Sequence, residues 1–255
     1  MPDPVASGDY ARKQIYCPNR VVAWSHGSRF DRAAALAACG RGGALLDYGC
    51  GDGTFIALTH GLFRRAVGAD VDREQLNDCR ARFGTLAGVE FEEVPRLQAP
   101  AHAGAYDVVT CMEVLEHCTD QQRRQVLADL HRLCAKEGRI IISVPIEIGP
   151  ALAAKQFVRA IAAWRGQGDY QYRETYSLRE LVRAVLARPG LARAEYSVET
   201  PDGLRRYCGH KGFDWRTLER ELRARFRVDR RLFTPLPVLG PVINSQVWFV
   251  CRPGG

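Results

Sequence analysis

The chain of 255 residues carries 36 basic and 29 acidic side chains, a net charge of +7, and is 46% hydrophobic, which suits one α/β domain with a full core. Its first nine residues are polar and no apolar run approaches the roughly 20 residues that cross a bilayer, so we expect neither a secretory signal nor a membrane span. The nine cysteines are scattered, without zinc-knuckle spacing, and a reduced, cytoplasmic protein is expected.

Basic residues are concentrated in the C-terminal third of the chain. Residues 179–231 contain 14 Arg or Lys against eight Asp or Glu. A face of this kind is either simply solvated or meets phosphate or an anionic membrane surface. The charge pattern alone leaves both interpretations open.

A helix is predicted from Ser28 to Cys39, and a glycine-rich turn follows the strand after it. Residues 45–55 read as a short buried strand, a turn with glycines at positions 49, 51 and 53, and the start of a helix. Glycine has no Cβ and adopts positive φ, so such a turn can bring the backbone close to a ligand. Asp47, two residues before the first glycine, offers nothing to a pyrophosphate but suits a ligand that carries an amine and a sulfonium.

A second acid ends the next strand, Ala66–Asp70, about 20 residues past the first glycines. A carboxylate there can hold a ribose diol through two hydrogen bonds, and Asp70 fits that position better than its neighbour Asp72. With Asp47 and the glycines, this pattern resembles the class I S-adenosylmethionine-dependent methyltransferases. The resemblance implies S-adenosylmethionine as cofactor, with binding residues Asp47, Gly49, Cys50, Gly51, Gly53, Asp70 and the backbone around Met112.

The third strand is predicted at Val89–Val94, after a helix from Arg73 to Phe83. Members of the resembled family usually have an acid at the end of this strand that contacts the adenine amine. Glu93 takes that position by the resemblance, with Glu92 as the neighbouring candidate.

Strands and helices continue to alternate up to residue 145. A fourth strand is predicted at 106–111, then a helix from Gln121 to Lys136 closed by Gly138, then a fifth strand from Arg139 to Pro145. This alternation predicts a parallel, doubly wound sheet with its ligand at the carboxyl ends of the strands.

The remaining chain departs from a minimal core. Residues 147–186 read as a helical insertion that roofs the substrate site, with an extra core helix or a contact with a lipid surface as alternatives. Residues 201–213 read as a loop, followed by a helix from Asp214 to Phe226 and two strands, Arg227–Phe233 and Gln246–Cys251.

The expected fold is therefore an α/β, Rossmann-like, doubly wound seven-stranded sheet with a terminal antiparallel hairpin. Residues 1–40 form an N-terminal helical segment, and residues 41–255 form the domain that contains the insertion. In the resembled family the segment before the first strand often covers the substrate pocket, which makes residues 1–40 a lid, with candidate lid residues Tyr10, Lys13, Trp24 and His26.

Three side chains that suit proton transfer or metal binding follow the fourth strand. Glu113, Glu116 and His117 have the spacing i, i+3 and i+4, so on a helical turn they would share one face. Their oxygens would favour Mg²⁺ or Mn²⁺, which lowers the pKa of a bound hydroxyl. Without a metal, His117 is the natural general base. An acid-rich first turn of a helix would explain the carboxylates equally well.

The run Glu-Val-Leu-Glu-His resembles both the ubiquinone-pathway O-methyltransferases and the small-RNA 3′-terminal ribose 2′-O-methyltransferases. In both groups the matching residues, here Glu113, Glu116 and His117, are metal ligands. The RNA group adds a histidine from a His-Lys-Phe-Glu-Trp stretch, which makes His210 a candidate site residue and fourth ligand. This chain differs there by an inserted Gly212.

The sequence leads to one main hypothesis and two alternatives. The main one is an S-adenosylmethionine-dependent methyltransferase acting on a hydroxyl of a small molecule, sugar or lipid-linked metabolite, with Glu113, His117 and His210 as the candidate catalytic residues. A metal-dependent ribose 2′-O-methyltransferase acting on RNA would use the basic C-terminal third. A non-catalytic protein that binds an adenosyl ligand is the third reading, since a fold does not fix a function. The oligomeric state and the methylated atom are left open.

Overall fold

The computed structural model of the chain describes residues 5–8, 11–17, 20–156, 176–186, 191–200 and 203–254. Its strands are β1 (Ala44–Tyr48), β2 (Arg65–Asp70), β3 (Val89–Glu93), β4 (Tyr106–Met112), β5 (Cys134–Pro145), β6 (Glu195–Thr200), β7 (Gly203–Cys208), β8 (Phe226–Thr234) and β9 (Gln246–Pro253). Its helices are α1 (Arg20–Ala37), α2 (Thr54–Thr59), α3 (Arg73–Phe83), α4 (Asp120–Leu133), α5 (150–156), α6 (Leu178–Val185) and α7 (Trp215–Arg225).

Seven strands form one sheet in the order β3-β2-β1-β4-β5-β9-β8. Strands β1 to β5 pair in parallel, whereas β9 pairs antiparallel with both β5 and β8. This confirms the predicted doubly wound sheet with its terminal antiparallel hairpin. The strand order reverses between β1 and β4, and a ligand of such a sheet binds at the carboxyl ends of the strands near that point.

The core lies on both faces of the sheet, against central strands that are buried over most of their length. All five residues of β1 are buried, and β5 is buried from Ile140 to its end. Continuous burial of this kind is expected where helices cover a parallel sheet on both sides. Helix α4 supplies one such cover through an apolar face formed by Val126, Leu127, Leu130 and Leu133.

Two predicted helix boundaries are wrong. Helix α1 begins at Arg20 rather than Ser28, so the N-terminal segment is more helical than its sequence pattern indicates. Helix α4 ends at Leu133, and Gly138 does not close it. Cys134 already pairs with Tyr106 of β4, so sheet pairing captures the residues that helical propensity assigned to α4.

The predicted loop at 201–213 is also wrong in its first half. Residues Gly203–Cys208 form β7, which pairs antiparallel with β6 in a separate two-stranded sheet. The sequence carried a signal for this hairpin, because polar and apolar residues alternate over 195–200 and Pro201-Asp202-Gly203 is a typical turn sequence.

Other parts of the prediction stand as follows. Ser177 caps α6 in a reciprocal capping box with Glu180. Tyr10 and most of the predicted insertion helix lie outside the described residues. The eight cysteines from Cys39 to Cys251 are free thiols. Among the described residues, no helix combines the length and apolar character that crossing a bilayer requires.

Candidate functional site

The glycine-rich turn lies at the carboxyl end of β1 and is tied to β2. The amides of Gly49 and Cys50 both donate to the Ala69 carbonyl, at 2.7 and 3.0 Å. Gly49 has a φ of 83°, and a Cβ there would collide with the Val114 side chain. Only glycine therefore fits at the point where the chain turns towards the ligand edge of the sheet.

Asp70 organises this turn through its carboxylate. It accepts hydrogen bonds from the amides of Gly51 (2.9 Å), Val71 (2.7 Å) and Asp72 (3.0 Å). Asp72 instead caps α3, where it accepts from the amides of Glu74 and Gln75. Both acids are candidates for the ribose from the sequence, and the structure shows that Asp72 is the N-cap of α3.

A cavity of about 220 Å³ opens beside the turn. Gly53, with a φ of 73°, is the N-cap of α2, and neither it nor Asp70 belongs to the lining of this cavity. Asp47 lies in its wall, 2% exposed, and burial raises the pKa of this carboxyl to about 7 against the opposing hydrogen bond from the Thr110 hydroxyl at 2.7 Å. Of the predicted cofactor residues, the cavity lining includes Asp47, Gly49, Cys50, Gly51 and Met112, together with Glu113.

Glu93 does not lie in this lining. Its carboxylate pairs with Arg73 at 2.9 Å, although its Cα is in register with that of Asp70 on the neighbouring strand. Both residues of the pair line a second cavity of about 380 Å³, between the ends of β2 and β3 and the β6–β7 hairpin. Arg205 of the hairpin closes part of that cavity by donating to the Val71 carbonyl at 2.8 Å.

The helical turn expected to align Glu113, Glu116 and His117 is absent from this described stretch. Glu113 has a φ of 56°, in the left-handed region, so the chain changes direction before residues 115–117 form a turn. The Glu113 carboxylate lies 3.3 Å from the Arg29 guanidinium of α1 and accepts from the Ser143 hydroxyl at 3.4 Å. Glu113 consequently lines the cavity of about 220 Å³ beside the glycine-rich turn.

Sequence reasoning missed Arg29. It is 7% exposed and is the basic side chain in a lining that also contains Asp47, Asp52 and Glu113. The signal available in the sequence was a basic residue, Arg29, beside the apolar face of a predicted helix. Its partner Glu113 lies 84 positions away in the chain, so the sequence did not show what Arg29 contacts. The contact with Glu113 places α1 directly against the site.

Glu116, His117 and His210 come together with one potential ligand atom from each, all within 4.8 Å of one another. The two imidazole rings meet edge to face with centroids 4.7 Å apart. Glu116 is fully buried, and both its carboxylate oxygens lack a hydrogen-bond partner among the described residues. Burial, then the charge of Glu113, raises the pKa of Glu116 well above its usual range.

A buried carboxylate in this state needs a proton or a cation, because an unpaired charge in the interior is costly. One carboxylate and two imidazoles form a donor set that binds divalent metals. The orphaned oxygens of Glu116 thus fit a metal at this group. Glu113 is not a member of the group, and its role as a ligand stays a prediction.

His117 is held by the hairpin from both its backbone and its ring. The Cys208 amide donates to the His117 carbonyl at 2.8 Å, and His117 Nδ1 lies 3.2 Å from the Cys208 carbonyl oxygen. A carbonyl only accepts, so Nδ1 carries the proton and Nε2 keeps its lone pair when the ring is neutral. Burial, then the neighbouring His210, lowers the pKa of His117, which favours that neutral form.

An arginine joins the two loops that carry these residues. Arg193 donates to the carbonyls of Glu116, Cys118 and Gly209. It therefore connects the turn after β4 to the loop after β7, which brings His210 to the site despite the inserted Gly212. No pattern in the sequence around Arg193 indicates this role.

Glu147, two residues after β5, completes the surroundings of His210. It is 2% exposed, and its Oε1 lies 3.0 Å from Lys155 Nζ of α5 and 3.5 Å from His210 Nδ1. Burial alone would raise the pKa of Glu147, but the charge of Lys155 and the contact with His210 outweigh it and lower the pKa to about 2.

Residues 25–192, more than half of the chain, match the family described as "Methyltransferase domain". A ubiquinone biosynthesis O-methyltransferase of Cronobacter sakazakii is 38% identical over 106 residues, which is 40% of this chain and 42% of that protein. The chain thus matches less than half the length of this relative.

Solved structures share the fold over nearly the whole chain. The DhpI–SAH complex covers 98% of this chain and 93% of its own, with a TM-score of 0.56 and 14% identity. The methyltransferase domain of bacterial CtHen1 covers 90% of this chain and 99% of its own, with a TM-score of 0.54 and 16% identity. At these identities the likeness concerns the fold alone.

Proposed function

This chain belongs to the methyltransferase domain family, and from that membership we propose that it transfers a methyl group from S-adenosylmethionine to a hydroxyl of a small molecule, sugar or lipid-linked metabolite. The observation that supports the proposal is the group of Glu116, His117 and His210, which is linked to the cavity lined by Asp47 and Gly49 through Glu113, a lining residue whose charge acts on both Glu116 and His117. In this proposal the sulfonium ligand and a group able to accept a proton would lie at the same edge of the sheet.

The cofactor would occupy the cavity of about 220 Å³ with its charges matched by the walls. Asp70, at the end of β2, would accept from the ribose hydroxyls, since carboxylates accept bidentate hydrogen bonds. Asp47 would meet the positive charges of the methionyl part. Arg29 would bind the methionyl carboxylate, because a guanidinium recognises carboxylates through paired hydrogen bonds.

Methyl transfer from a sulfonium is a displacement that requires the acceptor oxygen in line with the methyl group and the loss of its proton. Burial lowers the pKa of His117, which favours the neutral ring, and its Nε2 lone pair could then take that proton. His210, whose ring meets that of His117 edge to face, would help to orient the acceptor. Glu113, on the cofactor side, would position Arg29.

Where a divalent ion is bound, Glu116, His117 and His210 would hold it, and the ion rather than His117 would favour loss of the acceptor proton, because it lowers the pKa of a bound hydroxyl. Two nitrogen donors and one oxygen donor favour Mn²⁺ over Mg²⁺, which prefers all-oxygen surroundings.

The lid and roof remain proposals with partial support. Helix α1 reaches the site through Arg29, which pairs with Glu113, and through His26. Burial lowers the pKa of His26, and the charge of the nearby Glu113 raises it in part. Helix α5, in the first turns of the insertion, reaches it through Lys155. Both segments therefore border the space where an acceptor would lie.

The test is S-adenosylhomocysteine (SAH) release from S-adenosylmethionine with a panel of phenolic, sugar and polyprenyl-linked hydroxyl acceptors. Each reaction is run after chelator treatment and again after addition of Mn²⁺ or Mg²⁺. Turnover that His117→Ala removes supports the proposal, and turnover indifferent to chelator rejects the metal. Binding of SAH without turnover of any acceptor class would contradict it and favour an adenosyl-binding protein.

A second candidate is ribose 2′-O-methylation at an RNA 3′ end. It is favoured by the position of His210 beside His117 and by a hairpin that exposes Arg206 and Tyr207 at the site edge. Binding of a short RNA that weakens steeply between about 50 and 200 mM salt, with transfer to its terminal ribose, would establish this function. Equal binding across that range would exclude it.

A further inference from the structure

Glu147 is a buried acid that the chemistry above leaves unused. It lies where β5 ends, 2% exposed, and a single oxygen of its carboxylate contacts both Lys155 and His210. A structural ion pair needs only Lys155. The same oxygen also lies 3.5 Å from His210 Nδ1, so Glu147 can affect which nitrogen of the His210 imidazole carries the proton.

A neutral imidazole has one N–H and one lone pair, and a carboxylate can only accept. The nitrogen that faces Glu147 must therefore carry the proton, which fixes His210 as the Nδ1–H tautomer. The lone pair is then confined to Nε2. A histidine with freely exchanging tautomers would offer that lone pair only part of the time.

We propose that Glu147 is a positioning residue for His210: it fixes the imidazole as the Nδ1–H tautomer and keeps Nε2 available for an acceptor proton or a metal. This inference rests on the proposed function, because it concerns a residue of the same site. Lys155 neutralises the buried carboxylate and holds it in place from α5.

His117 is held in the same tautomer by a different group. Its Nδ1 faces the Cys208 carbonyl rather than a carboxylate. Both histidines of the group are thus set, by partners distant in the sequence, to keep Nε2 unprotonated. Outer partners of this kind orient the ring nitrogens of ligand histidines and tune metal affinity.

The decisive experiment is a two-bond ¹H–¹⁵N spectrum of the full chain without added metal, recorded at about pH 8.5, two units above the ordinary histidine pKa of about 6.5. His210 is assigned from the signals lost in His210→Gln. The test variant is Glu147→Leu with Lys155→Met, since replacing a buried ion pair by apolar groups of similar size is often neutral for stability. Lys155→Arg alone is the matched control, because it alters Lys155 while keeping both the carboxylate and its cationic neighbour.

The wild type and Lys155→Arg are expected to show His210 protonated at Nδ1, and the double variant to lose that tautomer. A double variant that retains it, or a loss of equal size in Lys155→Arg, overturns the proposal. Calorimetry with Mn²⁺ adds a second readout, with roughly 10- to 100-fold weaker binding expected in the double variant and unchanged SAH affinity. If wild type binds no Mn²⁺ but shows the expected tautomers, the metal fails and the role of Glu147 stands.

Discussion

Replacement of Asp70 by Asn tests the cofactor site most directly. The carboxylate accepts three backbone amides, with Oδ2 taking the Gly51 amide and Oδ1 the amides of Val71 and Asp72. In Asp70→Asn the amide group can keep the two bonds at one oxygen, but its NH₂ then faces the Gly51 amide. Two donors then oppose each other at the glycine-rich turn.

The expected loss of affinity follows from the hydrogen bonds removed. Two ribose hydroxyls that donate to a carboxylate contribute about 1.5 kcal/mol each at the low end of charge-assisted bonds, hence about 3 kcal/mol together. That energy corresponds to a Kd for SAH raised roughly 100-fold or more. Displacement of Gly51 would add to the loss.

Isothermal titration calorimetry with SAH measures this effect, and Asp72→Asn is the matched control. Asp72 caps α3 by accepting from Glu74 and Gln75, and Asn caps helices as well as Asp, so its Kd should stay at the wild-type value. If Asp70→Asn binds SAH within about threefold of wild type while Asp72→Asn weakens it, the assignment of the two acids is refuted.

Three further predictions concern the surrounding site. Asp47 has a pKa near 7 in the free protein, and the ammonium group of a bound ligand would lower that pKa. SAH binding should therefore release a proton, and SAH affinity should increase as pH rises from about 6 to 8. Calorimetry measures this pH dependence, which is expected to vanish in Asp47→Asn. Glu116→Gln should raise the free energy of unfolding of the metal-free protein in urea at about pH 8, because the raised pKa of Glu116 makes folding at that pH cost either proton uptake or a buried charge, and Gln avoids both. The same variant should lower Mn²⁺ affinity, and a destabilised variant with intact Mn²⁺ binding would contradict both expectations. Arg193→Met removes donors to three carbonyls and should cost about 2–4 kcal/mol in urea unfolding, whereas exposed Arg206→Met should cost under about 0.5 kcal/mol; equal stability of the two variants would argue against the connection between the loops.

The parts of the fold that sequence predicts well are those fixed by local pattern. The strand, turn and helix around Gly49 and the acid at Asp70 follow from residue type and spacing within about 25 positions. Helix α3 begins and ends where predicted because Asp72 caps it locally. The seven-stranded sheet then follows from alternation of elements.

The parts that sequence reasoning missed depend on contacts between distant segments. The direction of Glu113 is set by a left-handed backbone at that residue, which no helical spacing rule anticipates, and by Arg29 on α1. Glu147 and Arg193 act through residues 63 and 77 positions away, so their types alone were uninformative. Only a family resemblance suggested the group of Glu116, His117 and His210 from the sequence, because these residues come together through the tertiary structure.

The bonds from Arg193 and Cys208 have a mechanical consequence for the loops they join. Arg193 donates hydrogen bonds to carbonyls of both the turn that bears Glu116 and the loop that bears His210, and the Cys208 amide donates to the His117 carbonyl. Neither segment can therefore move away without breaking several hydrogen bonds at once. Their amide protons should exchange with solvent in a single cooperative opening. Selection for a different acceptor would accordingly reshape the insertion or α1 before it altered this pair of loops.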